Sequence, residues 1–171
     1  MTRVCAWCGV DLDSGEKASY QRGPITHGIC GACRSSVLSS SGSTLRRFLE
    51  RLQEPVLLVT GDVVVEAANA SACAAIGKRA ADMEGRLGGA VLECAHARLP
   101  GGCGKTVHCS ACQIRASVSR TFSTGEALVR VEAFQDVQTP QGLQRRRLCI
   151  STEKANQKVL LRVDSMETLP P

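Results

Sequence analysis

The fold is decided by residues 55–86, which read PVLLVTGDVVVEAANASACAAIGKRAADMEGR. Two runs of β-branched and aliphatic residues flank Gly61-Asp62, which is a two-residue signal for a β-hairpin. The Ala-rich segment after the hairpin predicts a short helix that ends at Gly77, and a second, weaker helix is predicted near residues 80–84. A hairpin that leads directly into short helices indicates an α+β domain.

The segments on either side of this stretch extend the pattern. Upstream, a helix over residues 44–54 is predicted because four apolar residues recur at helical spacing before Pro55: Leu45, Phe48, Leu49 and Leu52. Downstream, a helix is predicted over residues 114–122, with Gly125 as its stop, followed by strands over 127–135, 143–152 and 158–166. This order predicts one five-stranded antiparallel sheet with helices packed on one side.

Residues 45–163 resemble a PAS domain, in whose familiar opening a hairpin leads to an Asn, a short helix and a Gly. Asn69 and Gly77 occupy those positions. The resemblance implies a PAS-like sensory domain over residues 44–165, a tail over 166–171, and a role for Asn69 in capping or bonding the chain. It also implies a homodimer formed through the helix 44–54, because PAS domains often dimerise through a helix at this place.

Ten cysteines are present, and eight of them fall into two groups of four. The first quartet consists of Cys5, Cys8, Cys30 and Cys33, arranged as two CxxC knuckles within residues 1–38. Two knuckles of this kind can close a tetrahedral site, so we predict a small zinc-binding module with a structural ion. Four reduced thiols in a loop are the alternative, although so short a segment has little other core. The Ser-rich residues 39–43 are predicted to be a linker.

The segments CAWCG and ITHGICGAC also resemble the small CAWC...SHGIC-x-x-C region attached to many bacterial signalling proteins. Thr26 stands where Ser is usual in that region, and Gly31-Ala32 stand where Pro-Glu is common. His27 is retained, and we expect it to support the site or to pack beside it, with four thiolates available to bind the ion.

The inner quartet lies in CAHARLPGGCGKTVHCSACQIR, residues 94–115, and consists of Cys94, Cys103, Cys109 and Cys112. In a PAS fold the corresponding segment walls the ligand cavity. Three readings remain open: an iron–sulfur cluster, which would make the domain a sensor similar to the oxygen-sensing histidine kinases whose PAS-like domains hold a four-cysteine cluster; zinc, as a structural ion or a thiol switch; or no metal, with a redox-active or inert CxxC pair. His96 and His108 flank the cysteines and are expected to support the site or to be exposed, although either can replace one ligand.

Two further features are expected to be structural. Cys73 and Cys149 lie in apolar or alternating segments and are predicted to be small buried hydrophobic residues. Arg145, Arg146 and Arg147 can meet a phosphate, but alternation along a strand places the middle residue on the opposite face, which favours a solvated strand surface.

Composition and motifs narrow the class of protein. No apolar run is long enough to cross a bilayer, and the first residues already form a knuckle instead of a secretory signal, so a cytoplasmic protein is expected. No Walker loop, nucleophile elbow or kinase core is present, which favours a non-enzymatic input module. One Trp and one Tyr offer few stacking platforms, which argues against nucleic-acid binding.

The favoured function is therefore a redox, gas or small-ligand sensor with a cysteine-held cofactor. Its output would pass to a signalling partner such as a histidine kinase or a regulator, or through its own dimer. The alternatives are a zinc-stabilised PAS interaction module without a redox cofactor, and a dithiol oxidoreductase that uses Cys109 and Cys112.

Overall fold

The computed structural model describes residues 2–18, 24–38 and 42–170, which form an α+β fold with two sheets. The N-terminal part contains β1 Thr2–Cys5, β2 Ile25–Gly28, α1 Gly31–Leu38 and α2 Gly42–Arg51. The central part contains β3 Val56–Val59, β4 Val65–Ala68, α3 Ala70–Ile76, α4 Ala80–Met83, α5 Gly88–Val91, two 3₁₀ helices at Ala95–Arg98 and Val107–Ala111, and α6 Gln113–Thr124. The last part contains β5 Leu128–Thr139, β6 Gly142–Ala155 and β7 Lys158–Thr168.

The main sheet has five strands in the order β4-β3-β7-β6-β5, and every neighbouring pair is antiparallel. The predicted five-stranded antiparallel sheet is therefore confirmed, with longer strands at the C-terminal end than the sequence indicated. β1 and β2 form a separate parallel pair.

The connection between β3 and β4 is longer than the predicted two-residue turn. Residues 60–64 link the strands, and Val63 adopts a left-handed backbone with φ of 63° while its side chain is buried. Gly61 approaches α6 closely, because a Cβ at this position would lie 2.8 Å from the Cδ1 atom of Phe122. The turn is thus shaped by packing against α6, which a local hairpin signal does not reveal.

Both faces of the sheet are covered near β3. The inner core lies on the face that carries the predicted helices and is built from residues of β3 to β7 and of α3 to α6, including Leu57, Leu161 and Val118. The outer core lies on the opposite face and includes Cys5, Ile29, Phe48, Leu49, Leu52, Val56, Leu58, Ala67, Ala155 and Leu160. All four residues of β3 are buried because the strand contributes to both cores.

The N-terminal module and α2 together form the cover of the outer face. Residues 39–41 of the predicted linker lie outside the described residues, and Gly42 and Ser43 already belong to α2. The predicted helix over 44–54 is present, with bounds Gly42–Arg51. Its apolar stripe packs within the chain, so the dimer predicted through this helix stays a prediction that must use its other side. At the C-terminus, β7 continues to Thr168 into the predicted tail.

Asn69 joins α2, β3 and α3 and is fully buried. Its Oδ1 atom accepts hydrogen bonds from the N–H groups of Ala72 at 2.9 Å and Val56 at 3.0 Å. Its Nδ2 atom donates to three carbonyl oxygens, those of Leu49, Leu52 and Glu54, at 3.2, 3.0 and 2.8 Å. In the structure Asn69 thus both caps α3 and bonds the preceding chain.

None of the helices in the described part of the chain is long and apolar enough to cross a membrane.

Candidate metal and cofactor centres

The first quartet is assembled by the pairing of β1 with β2. Cys5 ends β1 and lies opposite Gly28 at the end of β2, so the two knuckles start from adjacent strands. Cys8 follows in a turn closed by a hydrogen bond from the N–H of Gly9 to the carbonyl of Cys5. Cys30 immediately precedes α1, and Cys33 lies in its first turn. The four Sγ atoms all lie within 4.8 Å of one another.

This spacing fits a single ion held by four thiolates. Zn–S bonds of about 2.3 Å in a tetrahedron place the sulfur atoms about 3.8 Å apart. The Sγ atoms of Cys8 and Cys30 are 3.7 Å apart. Within the described residues, only the first quartet brings three or more such ligand atoms within 4.8 Å of one another. The N-terminal cysteines can therefore bind a metal ion.

The pKa values of Cys5 and Cys33 are shifted in opposite directions by their surroundings. Burial raises the pKa of Cys5, but the backbone N–H groups of Cys30, Cys8 and Trp7 outweigh it and lower this pKa to about 7. Burial and the neighbouring thiols raise the pKa of Cys33 above its ordinary range. One thiolate therefore forms readily and opposes ionisation of the next, a repulsion that a bound cation removes.

The first quartet is also attached to the sheet domain by specific contacts. Trp7 packs near Phe48, with ring centroids 6.1 Å apart, and Arg51 lies over the Trp7 ring at 5.0 Å. The Arg162 guanidinium donates to the Thr26 hydroxyl at 2.6 Å. These contacts join the metal-binding segment to α2 and to β7.

His27 lies on β2, outside the ligand group of the first quartet. Its Nδ1 atom is 3.6 Å from Oε1 of Glu54, the residue whose carbonyl accepts a bond from Asn69. The Nδ1 atom of His27 and the Oε2 atom of Glu54 are buried and lack hydrogen-bond partners. His27 thus lies between the metal-binding segment and Glu54, which precedes β3. Its predicted supporting role stays a prediction.

The inner quartet comes from the segment between β4 and β5. Cys94 pairs with Val137 on the edge strand β5, Cys103 lies in the Gly-rich loop, Cys109 lies in the second 3₁₀ helix, and Cys112 precedes α6. All four line one cavity of about 360 Å³ between these loops, α6 and the edge of the sheet. The predicted association of the inner quartet with a cavity of the domain is therefore present.

The inner cysteines are spaced differently from the first quartet. In the described ranges 2–18, 24–38 and 42–170, no three of them, with or without a neighbouring His or Asp, bring ligand atoms within 4.8 Å of one another. They surround the cavity without closing on one point. A single tetrahedral ion would require these loops to move inwards.

Cys109 has the most polar surroundings of the inner quartet. The N–H of Gly104 donates to its Sγ at 3.1 Å, and the Thr106 hydroxyl oxygen lies 3.2 Å from the same sulfur. Burial raises the pKa of Cys109, but these two groups and the charge of Arg115 outweigh it, so the pKa lies below the ordinary value. Burial raises the pKa of Cys94.

His96 and His108 both line the inner cavity, and their rings stack with centroids 3.9 Å apart. The Nε2 atom of His96 is 3.2 Å from Oδ2 of Asp136 on β5. His96 and His108, which were predicted to support the inner site or to be exposed, thus lie beside the inner cysteines. Asp136 was missed by sequence reasoning, because strand pairing alone brings residues 94–96 beside it. Arg115 was also missed, although its position three residues after Cys112 is a helical spacing.

The other cysteines and the arginine run lie outside both quartets. Cys149 is buried as predicted, whereas Cys73 is only half-buried against the inner core. Arg145 and Arg147 are exposed, whereas Arg146 reaches the carbonyl of Leu92 at 3.3 Å, as strand alternation predicts. Arg147 pairs with Glu167 on β7.

Comparison with known proteins gives matches in structure alone. No protein-family model matches the chain, and no curated protein matches its sequence. A domain of the sensory box sensor histidine kinase/response regulator from Geobacter sulfurreducens is 17% identical, with a TM-score of 0.46 over 75% of this chain and 96% of that chain. The photoactive yellow protein domain of the sensor histidine kinase Ppr from Rhodospirillum centenum is 11% identical, with a TM-score of 0.43 over 77% and 99%.

A third similar structure is the PAS domain of nitrogen regulation protein NR(II) from Vibrio parahaemolyticus. It is 13% identical, with a TM-score of 0.41 over 76% of this chain and 100% of that chain. The strand order β4-β3-β7-β6-β5, with the helices between β4 and β5, is itself that of the predicted PAS-like fold, and four cysteines cluster near the N-terminus.

Proposed function

We propose that this chain is a cytoplasmic signal-transduction sensor module whose inner quartet holds an iron–sulfur cluster, and whose first quartet holds a structural zinc ion. The observation that carries the proposal is the convergence of Cys94, Cys103, Cys109 and Cys112 on one cavity beside the sheet. The PAS-like fold, and the origin of similar domains in sensor histidine kinases, support a sensory role.

The spacing of the inner cysteines favours a cluster over a single ion. An iron–sulfide cage lies between its cysteine ligands and holds their sulfur atoms farther apart than one tetrahedral ion does. The cavity of about 360 Å³ leaves room for such a cage. The N–H of Gly104 and the hydroxyl of Thr106 already point at Cys109, and hydrogen bonds to sulfur are a usual means of tuning a cluster.

The cavity is connected to the sheet by residues that can carry a signal. The bridge between Cys94 and Val137 attaches the inner quartet to the edge strand β5. Gln135, also on β5, donates from Nε2 to the carbonyl of Leu92 at 2.7 Å. A cofactor bound here would supply electron exchange or gas binding, and these contacts would couple the position of the cysteine loop to that of the strand. We expect a non-catalytic module that acts on a histidine kinase or regulator, or through a homodimer.

The test is metal and sulfide analysis, with an absorption spectrum, on protein purified without oxygen. We expect iron, sulfide and a broad band at roughly 400 nm, the usual thiolate-to-iron region, together with one zinc per chain. Cys109→Ser should lose iron and colour but keep zinc. Cys149→Ser is the matched control, because Cys149 is buried outside both quartets, and it should keep both metals.

Other outcomes would replace the proposal with one of its alternatives. Two zinc ions and no colour would indicate a zinc-stabilised interaction module. Colourless protein that reduces a disulfide substrate such as insulin with electrons from an added dithiol, and stops doing so after Cys109→Ser, would indicate an oxidoreductase. Loss of both metals in Cys109→Ser would contradict two independent sites.

A further inference from the structure

Arg115 occupies a special place beside the inner quartet. It lies in the first turn of α6, and its side chain lines the inner cavity. Its Nη2 atom donates to the carbonyl of Asp62, in the turn between β3 and β4, at 3.1 Å. The guanidinium also lies against Gly104, because a Cβ built on that glycine would be 2.7 Å from the Cζ atom of Arg115.

The backbone of Gly104 is held in a conformation that serves Cys109. Its φ of 91° lies in the region that favours glycine. In this conformation its N–H donates to the Sγ of Cys109 at 3.1 Å. The Arg115 guanidinium lies against the same glycine and is hydrogen-bonded to the carbonyl of Asp62 in the β3–β4 turn. The loop at Gly104 is therefore packed between Arg115 of α6 and the Sγ atom of Cys109.

α6 contacts the β3–β4 turn at two points. Arg115 bonds to Asp62, and the ring of Phe122, seven residues later on the same face of the helix, packs against Gly61. The inner quartet, α6 and the start of the sheet are thus connected through one helix face. Contacts through Gly104 and Arg115 therefore connect Cys109 to the β3–β4 turn.

We propose that Arg115 is a positioning residue for the inner centre. It holds the Gly104 N–H on Cys109 and places a fixed positive charge next to that ligand. This inference rests on the cluster proposed above. A cluster with four thiolates gains negative charge when it accepts an electron, so a neighbouring cation and an N–H donor stabilise the reduced form and raise the reduction potential. Arg145 also lines the cavity and supplies a second positive charge. Its guanidinium lies over the ring of Phe134 at 5.0 Å.

The experiment compares Arg115→Gln, Arg115→Lys and wild type, with Arg120→Gln as the matched control. Arg120 lies on α6 but pairs with Glu126 and does not line the cavity. The midpoint potential is measured by anaerobic titration with a chemical reductant, which supplies the electron, and is followed by the absorption at roughly 400 nm. We expect a lower potential for Arg115→Gln, a smaller shift for Arg115→Lys, and no shift for Arg120→Gln.

A second measurement tests the packing of the loop at Gly104 without a cofactor. Amide hydrogen exchange in residues 101–109 of the metal-free inner site should become faster in Arg115→Gln than in wild type, while exchange in β6 stays the same. Wild-type protein that contains no iron would overturn the cluster, and the exchange data would still decide the role of Arg115. Equal midpoint potentials at equal iron content, or equal exchange in the loop, would overturn the positioning role.

Discussion

Replacement of Asn69 by Ala should cost a large share of the stability of this protein. The side chain is fully buried and takes part in five hydrogen bonds with backbone groups of Val56, Ala72, Leu49, Leu52 and Glu54. Removal of the amide leaves two N–H groups and three carbonyl groups without these partners. A helix cap contributes about 1 kcal/mol, and each buried group left unsatisfied costs about 1 to 3 kcal/mol.

Partial relaxation and entry of water reduce the sum, so we expect a loss of roughly 3 to 5 kcal/mol in the free energy of unfolding. Typical domains are stable by only about 5 to 15 kcal/mol, so the variant should be close to unfolding at 37 °C. Asn69→Asp keeps the two acceptor bonds but replaces the donor by an oxygen that faces three carbonyl groups. It should therefore be no more stable than Asn69→Ala.

The assay is urea unfolding followed by far-UV circular dichroism and by the fluorescence of Trp7, the single Trp of the chain. Gln53→Ala is the matched control, because it removes an amide from an exposed position near the same joint. It should change the free energy of unfolding by less than about 0.5 kcal/mol. A loss below about 1 kcal/mol for Asn69→Ala, or one equal to that of Gln53→Ala, would refute the reasoning.

Three further substitutions test the rest of the structure. Cys33→Ser should remove one metal ion per chain and lower the unfolding temperature, as measured by metal analysis and calorimetry, whereas unchanged metal content would contradict the first site. Gly89→Ala should reduce the inner cofactor content, since the added Cβ would lie 2.7 Å from Sγ of Cys103. Gly31→Ala is the control and should keep both metals, because no atom lies within 4 Å of its added Cβ. Equal iron content in the two variants would disprove this steric argument. Burial raises the pKa of Glu153 in the folded protein above its ordinary value of 4.5. The free energy of unfolding should therefore fall as the pH rises from the ordinary pKa through the raised pKa, because the buried carboxyl group must then ionise. Glu153→Gln should then be more stable than wild type at pH 7, with a smaller decline between pH 4 and 8 in urea unfolding, and a parallel pH dependence would contradict the burial of a charged group.

Local patterns in the sequence were sufficient to predict the elements that local chemistry determines. Helix α3 begins after Asn69 and ends at Gly77 as predicted, because an N-cap side chain and a left-handed C-cap depend only on residues close in sequence. The first quartet was predicted from two CxxC pairs, since each pair is compact by itself and needs only one strand pairing to meet the other. The longer turn over residues 60–64 was not predicted, because Gly61 packs against Phe122 of the distant helix α6 and Val63 adopts a left-handed backbone.

The surroundings of the inner quartet depend on contacts between distant segments. Asp136 and Arg115 carry no motif, and their places beside the cavity follow from the pairing of β5 with residue 94 and from the docking of α6. The covering of the outer face was also not predicted. The unbroken apolar run of β3 is typical of a strand buried on both faces, but it does not show which segment provides the second cover.

The outer core has a consequence for the life of this protein in the cell. Cys5 and Ile29 pack in the same apolar layer as Val56 and Leu58, so the metal-binding segment is no detachable appendage. A metal ion bound there would contribute its binding energy to the sheet as well as to its own loops. Scarcity of that metal would then raise the unfolded fraction of the whole protein and its degradation by proteases. The amount of folded protein in the cell would thereby depend on the supply of that metal.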